Sequence, residues 1–67
     1  MKVSYNKLWK LLIDRKMSKA DLRKAVEMSP NTMTKMRRDE EVSMPVLLKI
    51  ATFLDCDISD ICEFVKE

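Results

Sequence analysis

The chain has 67 residues, 13 Lys or Arg against 11 Asp or Glu, no His, no Gly and two Cys. That is enough for one domain whose core is only just sufficient for independent folding. Two Cys and no His fall short of the four ligands of a zinc site, and there is no run of about 18 apolar residues to span a bilayer. The net charge of +2 hides a strong asymmetry. Residues 1–38 carry eleven bases and three acids, +8, whereas residues 39–67 carry two bases and eight acids, −6. Such a division suggests one face for an anionic partner and another turned away from it. The blander alternative is that the charges only keep a small protein soluble.

Residues 1–4 read as frayed or extended. The N-terminus lacks the small-residue cleavage site of a signal peptide, so a cytoplasmic location is expected. A first helix runs from Tyr5 or Asn6 to Lys16, with Tyr5, Leu8, Trp9, Leu12 and Ile13 as its buried stripe and Met17 closing it. Ser4 or Asn6 could cap it. A large aromatic in so small a domain usually supplies burial, which places Trp9 in the core or at its edge.

Ser18 caps a second helix, Lys19 to Val26, with Asp21 as a weak capping-box partner and Leu22, Ala25 and Val26 at helical spacing. Ser29 caps a third helix, Pro30 to Arg37 or Arg38, with Pro30 at the first helical position, where its missing N–H costs nothing. Met33 and Met36 give this helix an apolar edge. Asn31, Thr34, Lys35 and Arg38 recur at i, i+3, i+4 and i+7 and form one polar stripe. A short helix with a narrow apolar back and a polar front is what a DNA major groove admits.

Asp39, Glu40 and Glu41 form an acidic loop, expected to bend away from phosphates or to pair with Arg37. Ser43 caps a fourth helix with Pro45 in its first turn and Leu47, Ile50, Ala51 and Leu54 on its apolar stripe. Asp57, with Asp60 as box partner, caps a fifth, striped by Ile58, Ile61, Cys62 and Val65. Cys56 and Cys62 read as small apolar core residues. No strand is expected, because no apolar–polar alternation is bounded by hairpin turns. The architecture expected is all-α, five helices in a single domain spanning residues 1–67.

The stretch SKADLRKAVEMSPNTMTKMRR, with Leu22, Val26, Met28, Met33 and Met36 at buried positions, resembles the helix-turn-helix of the Cro and phage-repressor (XRE-like) family. VSMPVLLKIATFLDCDISDI is similar to the family's fourth and fifth helices, so the resemblance covers Tyr5 to Val65. It implies a lambda-repressor-like fold, a helix-turn-helix at residues 18–38 and sequence-specific DNA binding in transcriptional control, as a repressor. Two residues depart from the family pattern. Arg23 stands where relatives place a small residue, its long stem able to lie on apolar surface. Glu27 stands where relatives often have Gly, so either Glu27 is left-handed at a cost of ~1 kcal/mol or the turn is built differently.

The resemblance puts Pro30, Asn31 and Lys35 at base-facing positions and Ser18, Lys19 and Arg38 on the DNA backbone. By chemistry, Asn31 can pair bidentately with adenine, Lys35 or Arg38 can reach guanine or phosphate, and the Thr32 methyl can meet a thymine methyl. Thr34 joins the base-facing stripe. Ser18, Lys19 and Ser29 stand at helix N-termini, whose free N–H groups favour phosphate. Relatives bind as two-fold dimers through the last two helices. Leu48, Phe53, Phe64 and Val65 fit such an interface, or else simply finish the core. With no His, no Gly-rich phosphate loop and no paired nucleophile and base, no enzyme is expected, and no cofactor, metal or membrane partner. The competing reading is an antitoxin or protein-interaction module of the same fold, its acidic half engaging a protein partner.

Overall fold

A computed structural model describes residues 1–66. Strand β1 (Lys2–Ser4) is followed by α1 (Asn6–Asp14), α2 (Lys19–Ala25), α3 (Pro30–Arg37), α4 (Met44–Leu54), a single 3₁₀ turn (Ile58–Asp60) and strand β2 (Glu63–Val65). The molecule is mostly helical and follows the expected helical order through α4. The fifth helix is absent, and two strands stand where none was expected. They pair antiparallel in the register Lys2↔Val65, Val3↔Phe64 and Ser4↔Glu63.

The core is one cluster. Tyr5, Leu8 and Leu12 from the first helical segment meet Leu22, Val26, Met28, Met33 and Met36, with Ile50, Leu54 and Ile61 closing the other side. Along α1 the burial runs through Leu8 and Leu12, with Leu11 half-buried beside them. Ile13, expected in the stripe, is 72% exposed. The chain turns at Arg15, whose guanidinium donates to the Leu54 carbonyl at 2.6 Å and so closes the end of α4 rather than extending α1. Ala25 is also exposed.

Each helix ends the same way. Lys16, Glu27, Asp39 and Asp55 have φ of 57°, 56°, 58° and 53°. After each, the next amide reaches back five residues: Met17 to Leu12, Met28 to Arg23, Glu40 to Lys35 and Cys56 to Ala51, at 2.8–3.0 Å. These are Schellman closures, normally made with Gly, and here the left-handed residue is never Gly. The Glu27 question is thereby answered: Glu27 itself is left-handed.

The C-terminal correction has a local cause and a distant one. Asp57 and Asp60 do form the expected capping box, and the Cys62 amide still reaches Ile58. Beyond that point, the backbone of Glu63–Val65 finds its partners on Lys2–Ser4, about sixty residues away in sequence. Ile61 is fully buried, whereas Ile58, expected in the same stripe, is exposed. Lys7 ties α1 to this segment through the Ser59 carbonyl at 3.3 Å and the Glu63 carboxylate at 3.7 Å. Burial pushes the thiols of half-buried Cys56 and Cys62 above their ordinary range, which suits packing residues rather than reactive ones.

Candidate nucleic-acid interface

The segment from Ser18 to Arg38 is built from local signals that all agree. Ser18 accepts from the Asp21 amide, and Asp21 accepts from the Ser18 amide, both at 3.0 Å. The bond from the Ser18 amide, helped by the Ser18 hydroxyl, holds the Asp21 carboxyl below its ordinary value. Leu22 is fully buried, and Val26 and Met28 are buried on either side of the left-handed Glu27. Ser29 then receives the Thr32 amide at 3.2 Å, and Pro30 opens α3. Met33 and Met36 anchor α3 to the core. All five buried positions of the resemblance are therefore buried.

The opposite surface of α3 is free. Asn31, Lys35 and Arg38 are exposed. Among the described residues their side chains make no hydrogen bond or ion pair with the protein. The hydroxyls differ. Thr32 is half-buried, its oxygen 2.9 Å from that of Ser29. Thr34 donates to the Pro30 carbonyl at 3.0 Å, which leaves it an acceptor only.

The polar stripe divides into two flanks. Pro30, Thr34 and Arg37 border a notch against α2 that also includes Lys19, Ala20 and Arg23. Lys35 borders a groove on the other side, with Lys2, Asp39, Glu40 and Glu41. Lys19 holds its ammonium 4.4 Å from the centroid of the Trp9 ring, a cation–π contact. Trp9 is thus a core-edge residue, half-buried as expected. Arg23 is half-buried, and its Nη1 lies 3.5 Å from the Met28 carbonyl. The acidic loop does not pair with Arg37. Asp39 accepts from the Tyr5 amide at 3.4 Å, and the buried Tyr5 hydroxyl donates to the Glu40 carbonyl at 2.7 Å. Burial pushes that phenol above its ordinary value.

Arg23 and Arg37 line this notch, although sequence reasoning pointed to neither as a candidate binding residue. A signal for Arg37 existed, since it follows Pro30 by seven and Thr34 by three. For Arg23 the sequence suggests only the packing of a long stem on apolar surface.

Of the four candidate interface residues, Leu48, Phe53 and Phe64 are 65%, 46% and 73% exposed, so they do not finish the core. Val65 is half-buried and sits in the sheet opposite Lys2. The shared grooves link the three with Met44 and Ile58 into one apolar tract: Leu48 meets Phe53 in one, Met44 and Ile58 in the next, and these meet Phe64 in a third.

A buried-pin turn between two capped helices, the second presenting an unpaired polar face, defines a helix-turn-helix. Residues 7–67 match the Cro/C1-type HTH DNA-binding domain, and the chain belongs to that family. It is also similar to a solved structure, the crystal structure of the transcriptional regulator VanUg, Form II. The two share 55% identity over 98% of this chain and 88% of that one, at a TM-score of 0.96. No curated protein sequence matches it. Among the described residues, no helix is long and apolar enough to cross a membrane, and no group of three or more His, Cys, Asp or Glu could hold a metal ion.

Proposed function

We propose that the protein is a sequence-specific DNA-binding transcriptional regulator, acting in the cytoplasm as a repressor, with α3 in the major groove. The observation that carries this reading is the outer face of α3, where Asn31, Lys35 and Arg38 stand exposed and unpaired on the basic half of the chain. The DNA-binding and regulatory part of this reading is supported by the match to a DNA-binding domain family and by the similarity to a transcriptional regulator. Residues 1–67 form one DNA-binding domain with its helix-turn-helix at 18–38. Pro30, Asn31, Thr32, Thr34 and Lys35 face bases. Asn31 and Lys35 carry most of the direct readout, because Thr34 can only accept and Thr32 is partly turned to Ser29. Ser18, Lys19, Ser29 and Arg38 meet the DNA backbone. The protein binds as a homodimer through the tract containing Leu48, Phe53 and Phe64, because so many neighbouring exposed apolar side chains are unusual on a monomer of this size.

The test is selection of bound duplexes from a random DNA pool with purified protein at low salt. Enrichment of an inverted repeat with half-site centres about 10 base pairs apart supports both readout and two-fold pairing. A single short motif keeps the readout and removes the dimer. No enrichment by folded protein replaces this reading with the protein-interaction module.

A further inference from the structure

We propose that the notch between α2 and α3 is a seat for one DNA backbone phosphodiester, gripped by Arg23 and Arg37 together with Lys19, and that DNA is therefore anchored from the α2 flank of α3. The proposal rests on the DNA-binding reading above and assigns a contact to two residues outside its backbone set.

Three cations converge on this notch and no acid lines it, the rest of its lining being Ala20, Pro30, Thr34 and the buried Met33. None of the three is in an ion pair among the described residues. Lys19 is held in place by the Trp9 ring. Arg23 has one bond, a long one of 3.5 Å from a single Nη to the Met28 carbonyl. A guanidinium carries five N–H donors in a planar fork, so most of its donors remain free for an anion. Arg37 shares its helix face with Pro30 and Thr34, which aims its stem along the same notch. A fork of this kind matches two oxygens of one phosphate group.

The two hydroxyls at the helix starts are weaker candidates for the main grip. Ser18 and Ser29 already accept the Asp21 and Thr32 amides. The far flank of α3 is weaker still, for there Lys2 and Lys35 share a groove with Asp39, Glu40 and Glu41. An approaching phosphate is drawn to the α2 side and repelled from the other.

The experiment measures affinity for a random-sequence duplex as a function of salt, for the wild-type protein and for Arg23→Met, Arg23→Lys, Arg37→Met and Lys24→Met. Lys24 is exposed on α2 but does not border the notch, so its variant reports the general effect of one lost charge. Each Arg→Met change should flatten the slope of log K against log salt by about 0.9. Each should also weaken binding roughly ten- to a hundredfold. Arg23→Lys keeps the charge and should keep the slope while losing part of the affinity, because it loses the fork. Lys24→Met should leave the slope close to wild type. Thermal unfolding of each variant separates loss of fold from loss of contact, and Arg37, being exposed, carries the test if Arg23→Met does not fold. An unchanged slope in Arg37→Met, full wild-type affinity in Arg23→Lys, or an equal flattening in Lys24→Met would overturn the seat while DNA binding stands. If the wild-type protein binds no duplex even at low salt, the DNA-binding reading falls and takes the seat with it.

Discussion

Residues 18–25 and 57–65 start from the same device and finish in different structures. Ser18 and Asp21 close a reciprocal capping box, and so do Asp57 and Asp60. The first box opens a helix of seven residues, and the second opens one 3₁₀ turn that gives way to a strand. A cap satisfies the first orphan amides whatever comes after them. Continuation depends on what the next turns can bury. After Ser18 the chain buries Leu22 and Val26 against Met33 and Met36. After Asp57 it buries Ile61 alone, and its remaining backbone groups pair with β1 instead.

The largest effects should come from the residues that decide this difference. Leu22→Ala and Ile61→Ala each remove a fully buried aliphatic side chain, and each should cost about 2–5 kcal/mol in denaturant unfolding. The comparison breaks if Ile61→Ala costs much less, for the C-terminal segment would then be an appendage rather than a wall of the core. Next comes Tyr5→Phe, which strips the Glu40 carbonyl of its 2.7 Å partner and should cost roughly 1–3 kcal/mol.

The caps follow. Ser18→Ala should cost about 1 kcal/mol, and Asp57→Ala less, because only one turn depends on it. The α2 box should also respond to acid. Asp21 has a folded pKa below its ordinary value of 3.8 because the Ser18 amide and hydroxyl stabilise the charged form. Its contribution is therefore complete above that value and lost as pH falls through the lower folded one. Acid titration of helical circular dichroism should show this component in the wild type; Asp21→Asn should remove it, and Ser18→Ala, which keeps the backbone amide, should only diminish it.

The smallest effect has the opposite sign. Lys16→Gly or Glu27→Gly relieves a left-handed conformation and should raise stability by about 0.5 kcal/mol, the gain being trimmed by the greater freedom of Gly when unfolded. Asp39 and Asp55, whose residue type tolerates this region better, should gain less. A loss at Glu27 would mean that its side chain stabilises the turn in a way its backbone angle does not reveal.

Much of the candidate interface was legible in residue order because its determinants are local. Ser18, Asp21, Ser29 and Pro30 mark two helix starts within twelve residues, and Leu22, Val26, Met28, Met33 and Met36 mark one buried side. The missing Gly raises the question of a left-handed Glu27, but only the folded turn answers it. The division of the α3 stripe was not legible. Helical spacing groups Thr34 with Lys35, yet α2 lies along one side and the acidic loop along the other. The two arginines of the notch come from different helices, and their convergence depends on how those helices cross.

Local residue order specifies four helices, the N-cap positions Ser18, Ser29 and Ser43, the buried pins of the helix-turn-helix and the uneven distribution of charge, since each follows from residues within a few positions of one another. The first helix is the exception, for its N-cap is Tyr5, not Ser4 or Asn6. Tertiary structure alone decided the rest. It turned Ile13 outward, set Arg15 on the end of α4 and tied Tyr5 to the acidic loop. It also exchanged a fifth helix for a strand, because a strand's hydrogen-bond partners can lie at the far end of the chain, where no local pattern records them.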